Sequence, residues 1–94
     1  SYGMSFGGAN GVGAAVGRVK AINYDYGIMQ FYVGEDAETA NSYNINVGNA
    51  EIIIYQKDRN EIEPATIKSL LYDDVVLIRN ASYAANAAQI IIIR

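Results

Sequence analysis

The chain has 94 residues, which is enough for one domain with a single small core. Hydrophobic residues make up 51% of it and the formal net charge is −3, a balance that excludes intrinsic disorder and argues against nucleic acid as a partner. Because the chain contains no His and no Cys, it lacks the usual ligands of zinc, the usual general base and any thiol nucleophile, so we expect a protein that is not an enzyme.

The N-terminal segment differs in composition from the rest of the chain. Residues 1–17 contain six of the nine glycines and no charged side chain. Tyr2, Met4 and Phe6 alternate with small residues, as in a strand that buries one face. We therefore divide the chain into a Gly-rich N-terminal arm, residues 1–17, and a single β-barrel domain, residues 18–94. The arm is interpreted either as a mobile terminus or as a strand donated to a neighbouring subunit.

Short strands separated by turn signals follow the arm. The patterns predict strands over residues 18–23, 28–33, 42–47, 51–55, 75–79 and a final strand that includes residues 90–93. Val19 and Ile22 fall on opposite faces of the first strand, which predicts a β-bulge between them. Pro64, followed by Ile67, Leu70 and Leu71 at helical spacing, predicts a short helix over residues 64–72 that plugs the core.

Two runs of isoleucine are the most unusual pattern in the sequence. Because strand side chains alternate between faces, an unbroken apolar run presents apolar groups on both sides of a sheet, and one small core covers only one side. We therefore predict that the runs take part in self-association together with the arm. The predicted assembly residues are Tyr2, Met4, Phe6, Ile52, Ile54, Ile90, Ile91, Ile92 and Ile93. Protection of the strand edges looks thin, because the C-terminal strand offers only Arg94 and the single proline lies elsewhere.

These elements predict a mainly β fold, a small OB-like or SH3-like barrel or sandwich of about five to six strands with one short helix. The succession GRVKAI (residues 17–22), IIIY (52–55), TIKSL (66–70) and DDVVLI (73–78) resembles the small β-barrel modules of bacterial surface-layer and cell-wall-associated proteins. The resemblance covers roughly residues 17–94. Such modules generally build surface architecture, so it implies a structural role at the cell surface or outside the cell.

Few residues point to a ligand or a modification. Asp36 with Glu38, and Asp58 with Asn60, are weak candidates for calcium ligands, since they supply hard oxygens but the full calcium-loop pattern is missing. No other cofactor is expected. Asn80 begins an Asn-Ala-Ser acceptor sequence for N-glycosylation, a short pattern that is typical of an exposed loop.

The preferred functional hypothesis is a non-enzymatic extracellular structural subunit that assembles with itself into a filament or another homopolymer. Its partner is a second copy of the chain, with no nucleic acid and no membrane insertion, because no apolar run approaches the roughly 20 residues of a membrane helix. Adjacent carboxylates at Asp73 and Asp74 are interpreted as a solvated turn rather than as an acid and base pair.

The alternative hypothesis is an OB-like binding module of a larger cell-surface protein that recognises a glycan, a peptide or a partner domain. It would be favoured if four tyrosines, Tyr24, Tyr26, Tyr32 and Tyr55, shared one concave face.

Overall fold

The computed structural model describes residues 14–33, 42–80 and 86–94, which form one sheet of seven strands. The strands are β1 (Ala14–Asn23), β2 (Ile28–Tyr32), β3 (Ser42–Asn46), β4 (Glu51–Gln56), β5 (Glu61–Pro64), β6 (Val75–Asn80) and β7 (Ala87–Ile93). Their order across the sheet is β3-β2-β1-β6-β7-β4-β5. The prediction of a mainly β fold is confirmed, with seven strands in place of the expected five to six.

The sheet curls around a single core. A parallel bridge between Asn46 and Asn86 brings the end of β3 to the start of β7, so β1, β2, β3, β7 and β6 form a ring of paired strands. Side chains from both halves of the sheet meet inside this ring. The largest of the fully buried ones are Phe31, Met29, Ile45, Leu70, Ile78, Ile90 and Ile92. The architecture is consistent with a small β-barrel or sandwich.

The bulge predicted in the first strand is confirmed. The pairing of β1 with β2 shifts register between Val19 and Ala21, so two residues of β1 oppose a single step of β2. As a result Val19 is fully buried and Ile22 packs against the same core, although the two residues are an odd number of positions apart. The bulge thus brings both Val19 and Ile22 of this long strand to the inner face.

The two isoleucine runs lie side by side in the interior of the sheet. β4 and β7 pair in parallel, with Ile52 opposite Ile90 and Ile53 opposite Ile91. Ile90 is buried in the core, whereas Ile53 and Ile91 point to the other face and are half-buried. The core therefore covers one face of each run, as the sequence pattern predicted.

Two local predictions differ from the structure. The helix predicted over residues 64–72 is reduced to a 3₁₀ turn, Ile67–Ser69, because Pro64 belongs to β5 and the residues on either side of the turn, Thr66 and Leu70, have extended backbone. Leu70 still plugs the core, but Leu71 is 53% exposed. The edges of the sheet also differ from the prediction. The C-terminal strand β7 is an interior strand, and the proline lies on β5, which is a fully exposed edge strand. Proline and acidic side chains on such an edge oppose further strand pairing.

An ion pair between Arg94 and Asp74 connects the end of β7 to the turn before β6. Arg94 Nη2 lies 2.9 Å from Asp74 Oδ2 and also donates to the carbonyl of Ser69. The same carboxylate accepts a hydrogen bond from the Leu71 N–H. The hydrogen bond to Asp74 raises the pKa of the Arg94 guanidinium, although burial acts in the opposite direction. Asp74 is therefore a half-buried structural residue and not the solvated turn residue that the sequence predicted.

We expect Asp74→Ala to lower the free energy of unfolding by about 2 kcal/mol, less than for a fully buried ion pair because Arg94 is partly solvated. Thermal and urea unfolding of Asp74→Ala, Arg94→Ala and the double variant would measure the coupling between the two residues. If the double variant loses as much free energy of unfolding as the two single variants together, the contact between Asp74 and Arg94 contributes nothing to stability.

Candidate functional site

The outward face of five neighbouring strands carries two apolar rows. Cross-strand pairs place each row on a single side of the sheet, running from β1 through β6, β7 and β4 to β5. We call this surface the outer face. Its first row is Val16, Leu77, Ile91, Ile53 and Pro64, and its second row is Val75, Ile93, Tyr55 and Ile62, with Arg18 at the β1 end.

The outer face is accessible to solvent, most of all at its ends. Val16 is 54% exposed and Ile62 is 67% exposed, while the side chains between them on β6, β7 and β4 are half-buried. Five strands spaced about 4.8 Å apart, with two rows about 7 Å apart along the strands, give an apolar surface of roughly 300 Å². An apolar surface of a few hundred Å² is the size of the largest apolar patch on a typical soluble monomer, and such patches are often functional.

A polar row borders the outer face beyond its first apolar row. It consists of Arg79 on β6, Gln89 on β7 and Glu51 on β4, which the strand register places next to one another. Gln89 Nε2 donates to Glu51 Oε1 over 2.8 Å. Arg79 is exposed, and no ion pair within the described ranges includes it. The row therefore has a positive end and a negative end on either side of β7.

The structure separates the predicted assembly residues into three groups. Ile52, Ile54, Ile90 and Ile92 are core residues, and Ile91 and Ile93 lie on the outer face. Tyr2, Met4 and Phe6 lie outside the described residues. Sequence reasoning missed Val16, Leu77, Val75 and Ile62, whose positions opposite the isoleucine runs depend on strand order. The alternation within each of their strands was the only available signal.

A second candidate surface is an open cleft of about 370 Å³ at one end of the barrel. The turn after β1 forms one wall with Tyr24, Asp25 and Tyr26, and the residues around the 3₁₀ turn form another. The Tyr24 hydroxyl donates to the carbonyl of Leu70, which holds its ring in place, whereas Tyr26 is 79% exposed. The lining of the cleft combines apolar side chains such as Val47 and Ile52 with the two tyrosine rings and the Asp25 carboxylate, so it offers both apolar contacts and hydrogen-bonding groups.

The four tyrosines named in the alternative hypothesis do not share one face. Tyr24 and Tyr26 line the cleft together. Tyr32 is buried, and Tyr55 lies on the outer face with its hydroxyl hydrogen-bonded to Asn60. Only half of the predicted aromatic platform is therefore present in the cleft.

The weak calcium candidates lie apart from both surfaces or outside the described residues. Asp58 and Asn60 belong to the turn between β4 and β5, and Asn60 Oδ1 already accepts a hydrogen bond from Tyr55. Asp36 and Glu38 fall outside the described residues. Within the described part of the chain, no three acidic side chains converge as a metal site would require. Asn80 is the last residue of β6, and the remainder of its glycosylation sequence is not among the described residues.

Comparisons with protein-family models, with curated proteins and with solved structures found no match to this chain. Across residues 14–33, 42–80 and 86–94, no helix is long and apolar enough to cross a membrane.

Proposed function

We propose that the chain is a non-enzymatic extracellular structural subunit that assembles with itself, into a filament or another homopolymer, through its outer face and its N-terminal arm. The observation that carries the proposal is the outer face, which places apolar residues from five strands on one exterior surface. Covering such a surface with a second copy removes apolar area from water, which favours association.

A polymer requires a second kind of contact besides the outer face. Pairing of one face with the same face of another copy closes a dimer, whereas growth needs a head-to-tail contact that does not close. The arm is the proposed source of that contact. Its uncharged alternation at Tyr2, Met4 and Phe6 suits a strand donated to a neighbouring sheet, and the last four residues of the arm, 14–17, already belong to β1. The resemblance to surface-layer modules supports an extracellular or cell-surface location.

Light scattering and negative-stain imaging of the native chain, beside a variant lacking residues 1–13, test the proposal. We expect the native chain to form regular polymers and the shortened chain to stop at small oligomers, because it retains the outer face and loses the arm. A native chain that remains a compact monomer at high micromolar concentration would contradict self-assembly. If both chains form the same polymers, the arm is not needed for assembly.

The alternative function is an OB-like binding module of a larger surface protein, and the cleft is the observation that favours it. Exposed Tyr26 provides a ring that can stack on a sugar, and Asp25 provides a hydrogen-bond acceptor beside it. If this function is correct, the native chain binds members of a glycan array while it remains monomeric. Tyr26→Ala should then lose that binding without a change in melting temperature, and a glycan array with no hits would contradict a glycan-binding function.

A further inference from the structure

We infer that the outer face pairs with the outer face of a second copy around a two-fold axis along β7, so that Arg79 of each copy faces Glu51 of the other. This inference rests on the proposed function and specifies its partner surface. The side chains on the two neighbours of β7 carry it, because they are apolar in two rows and oppositely charged in the third.

The apolar rows are self-complementary about β7. In the first row, Leu77 and Ile53 flank Ile91 on the two neighbouring strands. A half-turn rotation about an axis along β7 exchanges the two sides, so Leu77 of one copy lies over Ile53 of the other. In the second row the same rotation places Val75 over Tyr55, with Ile93 on the axis. The apolar residues of β6, β7 and β4 therefore meet apolar side chains of the other copy, as an isologous contact requires, whereas at the ends of the second row Arg18 lies over Ile62.

The polar row is complementary about the same axis. Arg79 lies one strand to one side of β7 and Glu51 one strand to the other, with Gln89 between them. The rotation that matches the apolar rows therefore places each Arg79 opposite the Glu51 of the other copy, and the dimer contains this contact twice. Arg79 has no ion pair within the described part of the chain, so the contact would not require an existing pair to be broken. Opposite charges at the rim fix the register of such an interface.

A two-fold axis across the strands is the competing arrangement. It would place β6 over β6 of the second copy and bring Arg79 near Asp73. Asp73 is already engaged, since Arg18 Nη1 lies 3.6 Å from its carboxylate and donates to its carbonyl oxygen. Both arrangements keep the strands of the two sheets aligned within about 30°, so the charged residues at the rim distinguish them.

Sedimentation equilibrium of charge-reversal variants tests the pairing. Arg79→Glu should weaken dimerisation by about tenfold or more, because like charges then face each other at both copies of the contact. Adding Glu51→Arg to that variant should restore the native dissociation constant to within about threefold, as expected of directly coupled residues. The control is Arg59→Glu, which makes the same change in net charge at the turn between β4 and β5 and should leave the constant unchanged. Circular dichroism confirms that each variant is folded.

The outcomes separate this inference from the proposed function. A native chain that stays monomeric overturns both. If Arg79→Glu weakens association no more than Arg59→Glu does, the pairing is wrong but self-association remains. The same conclusion follows if Asp73→Arg, and not Glu51→Arg, restores the association of Arg79→Glu. Rescue by Glu51→Arg alone supports the axis along β7.

Discussion

Ile90→Ala is expected to destabilise the fold by about 3–4 kcal/mol, the effect of removing a large aliphatic side chain from a closed core. Ile90 is fully buried in a strand that has neighbours on both sides, so the space it leaves cannot fill with water or collapse easily. Ile91 is the matched control, being the next residue of the same strand with the same side chain. Because it is half-buried on the outer face, Ile91→Ala should cost the monomer only about 1 kcal/mol.

Urea unfolding at low protein concentration measures both losses without a contribution from association. At higher concentration the ranking should change, since Ile91→Ala weakens assembly and Ile90→Ala leaves the outer face intact in the molecules that remain folded. Equal losses for the two variants at low concentration would contradict the assignment of inner and outer faces.

Gly17→Val is expected to lower the free energy of unfolding by about 3 kcal/mol, because the added side chain overpacks the core. A Cβ atom at Gly17 would lie 2.8 Å from Phe31 Cδ2 and 3.0 Å from the carbonyl oxygen of Tyr32. Phe31 is fully buried in the core, so its ring has no free direction in which to move. The glycine is therefore required for the close approach of β1 and β2 and not for chain flexibility.

Gly48→Val is the control for that substitution. Its Cβ would meet the side-chain oxygen of Asn46 at 3.2 Å, and moving that side chain costs the exposed hydrogen bond that the oxygen accepts from the Gly48 N–H, so a loss of about 1 kcal/mol is expected. Thermal unfolding of the two variants compares them directly. Similar melting temperatures for Gly17→Val and Gly48→Val would show that β1 and β2 can separate at no great cost.

The local patterns in the sequence carry much of this fold. The spacing of Val19 and Ile22 predicted the bulge because only an extra residue brings both to one face. The isoleucine runs predicted strands with two apolar faces, and the half-buried state of Ile53 and Ile91 agrees with that prediction. In each case the information lies within one strand, where the two-residue period is sufficient.

Properties that depend on contacts between distant strands could not be predicted in the same way. The position of the C-terminal isoleucine strand between β6 and β4 follows from strand order, and the same order made Pro64 an edge residue. Ile67 and Leu70 are three residues apart, a spacing that suits a 3₁₀ turn as well as an α-helix. The outer face itself joins single residues from five strands, so no segment of the sequence contains its pattern.

Self-association through the outer face is tested most directly by sedimentation velocity of the native chain and Ile91→Thr from low to high micromolar concentration. Threonine keeps the β-branched shape that suits a strand and removes apolar surface from the centre of the outer face. The control is Leu71→Thr, which removes an exposed apolar side chain away from that face. We expect Leu71→Thr to associate like the native chain, whereas Ile91→Thr stays folded, loses the association through the outer face and retains only the contact made by the arm. Association of Ile91→Thr equal to that of the native chain would contradict self-association through the outer face.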